Sequence, residues 1–240
     1  PNINYTAEDH ARYLNGFIEE LGLQDLTLVI HDWGSFLGFN YASLNPKNVK
    51  AIAFMEAIIP YESVGAVEVD GASVSEETQE SPENIAVMDD FIAILKQIQT
   101  PGVGEKMILE DNFFIEKILL NTPMLSEDEK NAYREPFDGG VSRQPMLQFP
   151  RQVSLDGENP KYVVNGIERY SKYLSDIDIP KLLLTFSPGA LIGEGSIRWA
   201  EKNLSNLQTV YIGSGVHFVQ EDHPEAIGKA INTWMADNEL

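Results

Sequence analysis

Leu28-Val29-Ile30-His31-Asp32-Trp33-Gly34-Ser35 is the stretch that decides the fold. Leu26 to Ile30 is a short apolar run rich in β-branched residues, which reads as a buried strand. It runs straight into a polar residue, a glycine and then a helical pattern from Gly34 to Leu44, which stops before Pro46. That is the layout of a nucleophile elbow, a strained turn that raises one side chain above the C-terminal edge of a sheet. The usual occupant is serine. Here the position belongs to Asp32.

Working outward, Val49 to Met55 is a second buried-strand pattern. Strand, tight turn, helix and strand therefore follow within about 30 residues, the rhythm of a parallel βαβ unit. Upstream, Thr6-Ala7-Glu8-Asp9 has the form of a capping box with Asp in place of Glu. Tyr13, Leu14, Phe17, Ile18 and Leu21 follow at helical spacing, and Gly22 ends the helix. Downstream the pattern changes. Segments near 83–99, 104–120, 126–134 and 160–175 read as helices with no strand between them. The α/β rhythm returns with strands at Lys181–Phe186 and Leu207–Ile212 and helices near 194–203 and 223–237. The expected organisation is an α/β core in two parts, 1–56 and 159–240, around a helical cap at 57–158. Its sheet is mostly parallel and flanked by helices.

From Ala51 to Leu95 there is no Lys or Arg, and nine acidic residues lie between Tyr61 and Asp90. Roughly 61–81 reads as an exposed acidic insertion in the cap. The whole chain of 240 residues carries 17 Lys and Arg against 37 Asp and Glu, a net charge of −20. Such a field repels phosphate backbones and anionic lipids, which argues against nucleic acid or a membrane surface as partner. No apolar run approaches the roughly 18 residues of a membrane helix, and the expected location is cytoplasmic. The absence of cysteine excludes disulfides, zinc–thiolate sites and thiol chemistry.

An Asp at the elbow dictates its own chemistry. A carboxylate is ionised at neutral pH and needs no base to activate it. It can attack an electrophilic carbon and form an alkyl ester, which a base acting on water must then hydrolyse. His217 lies after the last strand, in the glycine-rich Gly213-Ser214-Gly215-Val216-His217-Phe218. A His base needs a carboxylate to orient its ring. Glu56 ends the strand that follows Asp32, at the sheet edge where ligands bind, and a carboxylate in so apolar a segment needs a partner. His31 reads as support for the elbow. His10 and His223 read as residues of helix starts.

These segments together resemble the haloalkane dehalogenases of the α/β-hydrolase superfamily. The resemblance is carried by His31-Asp32-Trp33-Gly34-Ser35, Met55-Glu56-Ala57-Ile58 and Asp111-Asn112-Phe113-Phe114. Tyr133-Arg134-Glu135-Pro136-Phe137, Phe149-Pro150-Arg151-Gln152 and His217-Phe218-Val219-Gln220-Glu221-Asp222 complete it. It runs from about residue 5 to the C-terminus. The resemblance implies that Asp32 displaces halide, that Trp33 donates its indole N–H to the halide and that His217 activates water. Glu56 would hold His217, and the Trp33 backbone N–H would supply half of an oxyanion hole. It implies a halogenated alkane as substrate, a halide ion as product and no metal or organic cofactor. Phe91, Phe114, Pro145, Leu191 and Phe218 match pocket-lining positions. In a neighbouring subgroup the acid follows the later strand ending at Phe186, but Ser187-Pro188-Gly189-Ala190 holds no Asp, which favours Glu56.

Renilla-type luciferases share nearly the same motifs and stand as one alternative. A non-catalytic hydrolase-fold binder or an inactive truncated protein is another. Only 31 residues precede Asp32, whereas the family has several strands there, with a loop that supplies a second halide donor. The expectation is a fragment of a longer protein. The alternatives are completion by another chain or degeneracy. Without such strands the sheet has an exposed edge that invites self-association.

Overall fold

Among the residues described by the computed structural model, 3–59, 80–122, 124–153, 155 and 160–240, four strands form one sheet. They are β1 (Leu26–His31), β2 (Val49–Ala57), β3 (Lys181–Pro188) and β4 (Leu207–Gly215). They lie in that order and every neighbouring pair is parallel. The parallel α/β architecture expected from the sequence is therefore present.

The two central strands are apolar on both faces, as strands covered on both sides must be. On one face Ile52, Phe54 and Leu183 join Phe36, Phe39, Tyr170 and Leu174 in the main core. The aromatic pair comes from α2 (Asp32–Leu44), the other two residues from α7 (Lys161–Asp176). On the other face Ala51, Ala53, Leu182 and Leu184 pack against Ile227 and Trp234 of α10 (Pro224–Asp237). The small alanines make room for a fully buried indole. Each large side chain so buried contributes about 1.5–3 kcal/mol.

Gly38 sets how closely α2 lies on β1. A Cβ there would stand 2.8 Å from Ile30 Cγ2, so the helix that starts at Asp32 rests directly on its own strand. At the far end of the sheet the buried Lys181 donates to the carbonyls of Ile177 at 2.6 Å and Ser205 at 2.7 Å, tying the turns that lead into β3 and β4.

The helix α1 (Ala7–Glu20) begins with the expected capping box: the Thr6 side chain accepts from the Asp9 N–H, and Asp9 accepts from the Thr6 N–H. Its apolar stripe divides. Ala7, Ala11, Leu14 and Ile18 turn inward, while Tyr13, Phe17 and Leu21 lie more than half exposed. On β1, whose outer edge carries no ladder among the described residues, Val29 is 49% exposed.

Between β2 and β3 the helices α3 (Pro82–Gln99), α5 (Glu127–Arg134) and α7 fall where expected, joined by the short α4 (Val103–Glu105) and by α6 (Gln144–Gln148), where the sequence predicts no helix. One expectation needs correction. The segment near 104–120 is not one α-helix but two π-helical turns, Lys106–Glu110 and Phe114–Leu119. They are parted at Asn112, whose φ of 52° is left-handed. Asn is among the few residues that adopt this region readily. The acidic insertion read at roughly 61–81 lies outside the described residues as far as residue 79. No described helix is long and apolar enough to cross a membrane.

Candidate active site

Asp32 is the first residue of α2 and sits at φ 47°, the left-handed turn that an elbow requires. Such backbone costs about 1–3 kcal/mol and persists only where the surroundings enforce it. Enforcement comes from Ser35, which is fully buried. Its hydroxyl donates to the Asp32 carbonyl at 2.5 Å and accepts from the Ile58 N–H at 2.8 Å. One side chain thus joins the ends of β1 and β2. Asp32 also extends the strand pairing by bridging Ala57.

Glu56, near the end of β2, has φ 40°. Its carboxylate is buried, and Oε2 accepts from the backbone N–H of Ala190 at 2.9 Å and Leu191 at 2.8 Å. The loop after β3, where the neighbouring subgroup would carry its acid, thus presents its N–H groups to Glu56. Glu194 instead opens α8 (Glu194–Asn203), away from this contact.

His217 follows β4 and reaches both carboxylates. Its Nδ1 lies 3.3 Å from Glu56 Oε2, and its Nε2 lies 3.7 Å from Asp32 Oδ1. A ring that donates its Nδ1–H to Glu56 Oε2 keeps Nε2 directed at Asp32. Burial disfavours the imidazolium, but the hydrogen bonds and charges of Asp32 and Glu56 outweigh it and push His217 up to about 10. Burial likewise opposes the Asp32 anion. The hydrogen bond and charge of His217, then the charge of His31 and the Trp33 backbone N–H, hold its carboxyl below the usual range.

The expected site residues divide into two neighbourhoods. Trp33 adjoins Asp32, and its ring lies 5.0 Å from Phe149 and 5.8 Å from Phe36. Phe91 and Leu191 belong to the same apolar cluster as Trp33. Phe218 sits against His217 at 4.9 Å and meets Phe114 edge-on at 6.2 Å. Pro145 is half-buried in the first turn of α6, beside Met146, which packs with the Phe114 cluster.

Two contacts were not foreseen. His31 does more than support the elbow: its Nε2 is 2.8 Å from the His217 carbonyl, and the two rings are 4.7 Å apart. Its place directly before Asp32 at a strand end was the available signal. The second is the tilted contact of Phe149 with Trp33, of which the sequence singles out only the motif.

A parallel sheet with a strained elbow, a buried acid and a histidine after the last strand defines an α/β-hydrolase, and a family model of the alpha/beta hydrolase fold matches residues 1–79. The chain is 37% identical over 239 residues to a haloalkane dehalogenase from Mesorhizobium japonicum, covering 99% of this chain and 71% of the relative. It is 39% identical over 235 residues to one from Sphingobium indicum, covering 96% of this chain and 71% of that protein. The crystal structure of a haloalkane dehalogenase from Bradyrhizobium elkani superposes with a TM-score of 0.84 at 37% identity, covering 100% of this chain and 76% of that one. The chain belongs to the haloalkane dehalogenase family.

Proposed function

We propose that this chain carries the machinery for hydrolytic dehalogenation, turning a halogenated alkane into an alcohol, a halide ion and a proton. Asp32 attacks the carbon that bears the halogen. The carbon–halogen bond breaks as the Asp32 oxygen–carbon bond forms, and the Trp33 indole N–H donates to the departing halide, as a donor-only side chain suits. The ester carbonyl then lies at the start of α2, where the Trp33 backbone N–H supports the oxyanion of the next step.

Ester formation also prepares the base. Free Asp32 and Glu56 together keep His217 protonated. Alkylation removes one of the two negative charges, so the imidazolium loses its proton to solvent. Neutral His217 then takes a proton from water through Nε2 while the water oxygen attacks Asp32 Cγ. Collapse expels the alkoxide, which takes that proton and leaves as the alcohol. The proton left on the new Asp32 carboxyl restores the resting ion pair. Glu56 holds the ring throughout and offsets its charge. The described helices of the cap expected at 57–158 bring Phe91, Phe114 and Pro145 to the alkyl chain, and the loops after β3 and β4 bring Leu191 and Phe218.

The observation that carries this reading is the His217 ring standing between a buried acid and an elbow carboxylate. A serine at the elbow would suggest acyl transfer, whereas Asp32 suggests attack on an alkyl carbon. The dehalogenase relatives favour hydrolysis over the luciferase alternative. Bromide release from short bromoalkanes tests it, with Asp32→Ala as control. Release by the unaltered chain and none by the variant is expected. Equal release from both would overturn the role of Asp32.

A further inference from the structure

Two segments singled out in the sequence, Tyr133–Phe137 and His217–Asp222, were left without a joint role by the chemistry above. The structure brings them together. The Tyr133 hydroxyl, on α5, donates to the Glu221 carboxylate. The Thr122 hydroxyl donates to Asp222 Oδ1 at 3.0 Å. Glu221 and Asp222 both lie on α9 (Val219–Asp222), the single turn that follows the His217 loop. Between them and His217, Phe218 inserts into the apolar cluster of Ile115, Leu119, Leu120 and Leu125.

The cap side of this contact is itself braced. Arg134, next to Tyr133, grips both oxygens of Glu116 at 2.8 and 3.0 Å, and Glu116 lies on the π-helical turn that carries Phe114. The core side is braced too, because His31 holds the His217 carbonyl from β1. The loop carrying the base is therefore clamped from two directions. Its imidazole meets Glu56 at 3.3 Å and Asp32 at 3.7 Å, distances that a small shift of the loop would alter. A misplacement near 1 Å can cost about a hundredfold in rate.

We propose that the Tyr133–Glu221 and Thr122–Asp222 hydrogen bonds form a latch by which the cap positions His217 for hydrolysis of the Asp32 ester. Tyr133 and Thr122 are thus positioning residues. They act through α9 and touch neither substrate nor the reacting atoms. The inference rests on the reading of His217 as base, and it separates the two chemical steps. Attack by Asp32 on the alkyl carbon does not use His217 and is indifferent to the latch. Hydrolysis of the ester depends on it.

The test uses Tyr133→Phe and Thr122→Val, which keep ring and shape and remove only the hydroxyls. Two readouts apply to the whole chain. In the first, the His217 imidazole is titrated by nitrogen NMR without substrate. With the latch open the ring withdraws from its carboxylates, so its midpoint falls by at least one pH unit, a tenfold loss of proton affinity. A midpoint unchanged from the parent overturns the latch.

In the second, a bromoalkane is mixed with excess protein. The first bromide is released within twofold of the parent rate. Decay of the alkyl adduct on Asp32, followed by intact mass, slows about tenfold, and Thr122→Ser restores the loss at its position. Equal slowing of both steps, or of neither, overturns the latch. If the parent chain releases no bromide above Asp32→Ala, the dehalogenation reading fails and the titration alone decides the latch. Should Tyr133→Phe not fold, Glu221→Gln weakens the same bond from the other side and is held to the same readouts.

Discussion

Asp32 and Glu56 end neighbouring parallel strands, and both carry left-handed backbone, yet their surroundings differ sharply. The Glu56 side chain is 1% exposed and receives two backbone N–H groups from the loop after β3. The Asp32 side chain is 32% exposed and accepts no such pair of backbone donors among the described residues. The contrast lies in what each carboxylate meets: Glu56 is fixed by backbone donors from the loop after β3, whereas Asp32 faces the His217 ring at 3.7 Å.

The comparison can be broken first at the residue the two carboxylates share. His217→Ala leaves Asp32 able to form its ester but removes the base. Turnover falls by about 10³–10⁴-fold, the upper range of general-base effects. The protein gains the alkyl mass after one exposure to substrate. A variant that turns over normally, or gains no mass, removes His217 from the mechanism.

Glu56→Gln is the next largest. The amide oxygen still accepts from Ala190 and Leu191, so folding is retained, but the charge that supports the imidazolium is lost. Turnover falls about 10²-fold, the lower range of general-base effects, and the titration midpoint of His217 moves down. The buried acid would be redundant if neither quantity moved.

Ser35→Ala tests the link between the two strand ends. It leaves the Ile58 N–H and the Asp32 carbonyl short of a partner, and costs about 1–3 kcal/mol in denaturant unfolding. A cost under about 0.5 kcal/mol, the scale of a surface change, would show that the elbow does not need this bridge.

The pH dependence of stability follows from the same pair. The lowered pKa of Asp32 gives stability that is present above its unfolded value and lost as pH falls through the folded one. The raised pKa of His217 works the other way. Its contribution is full below about 6.5 and is lost as pH rises through about 10. Between pH 6.5 and 10 the parent chain therefore loses about 2 kcal/mol that His217→Ala does not, after allowance for solvent screening near Asp32. Parallel urea titrations of the two proteins at pH 6.5 and 9.5 measure the difference, and identical slopes with pH would refute it. The smallest effect belongs to the half-exposed Val29 of β1: Val29→Thr changes stability by less than about 0.5 kcal/mol, whereas Ile52→Ala in β2 costs about 2–5 kcal/mol.

How much of this was legible depended on whether the signal was local. The strand, elbow and helix around Asp32 could be read because apolar run, polar residue and glycine occur in sequence order. Glu56 and His217 could be read because each follows a strand at the same edge. What escaped were pairings across long sequence distances. The hydrogen bond of His31 to the His217 carbonyl spans 186 positions, and no periodicity encodes it. The break at Asn112 escaped because its flanks keep helical spacing while the winding widens. The split of the α1 stripe into inner and outer residues escaped because periodicity reports an apolar face without telling what covers it.

The residues just after 79 carry one more consequence. Glu80 places its carboxylate on the N–H groups of Gly195 and Ser196, both at 2.8 Å, and on the Ser196 hydroxyl at 2.7 Å. A Cβ at Gly193 would collide with it at 2.2 Å, so that glycine reserves its seat. Four residues on, Asn84 donates to the carbonyls of Pro188 and Gly189, each at 3.1 Å. At the other end of the interval, Ile59 turns back to the Ala57 carbonyl at 3.0 Å. Both ends of the stretch 60–79 are thus pinned to the scaffold that holds Glu56. A change within 60–79 therefore reaches Glu56 only through these pins, and Glu80 and Asn84 are where such a change would be felt or absorbed.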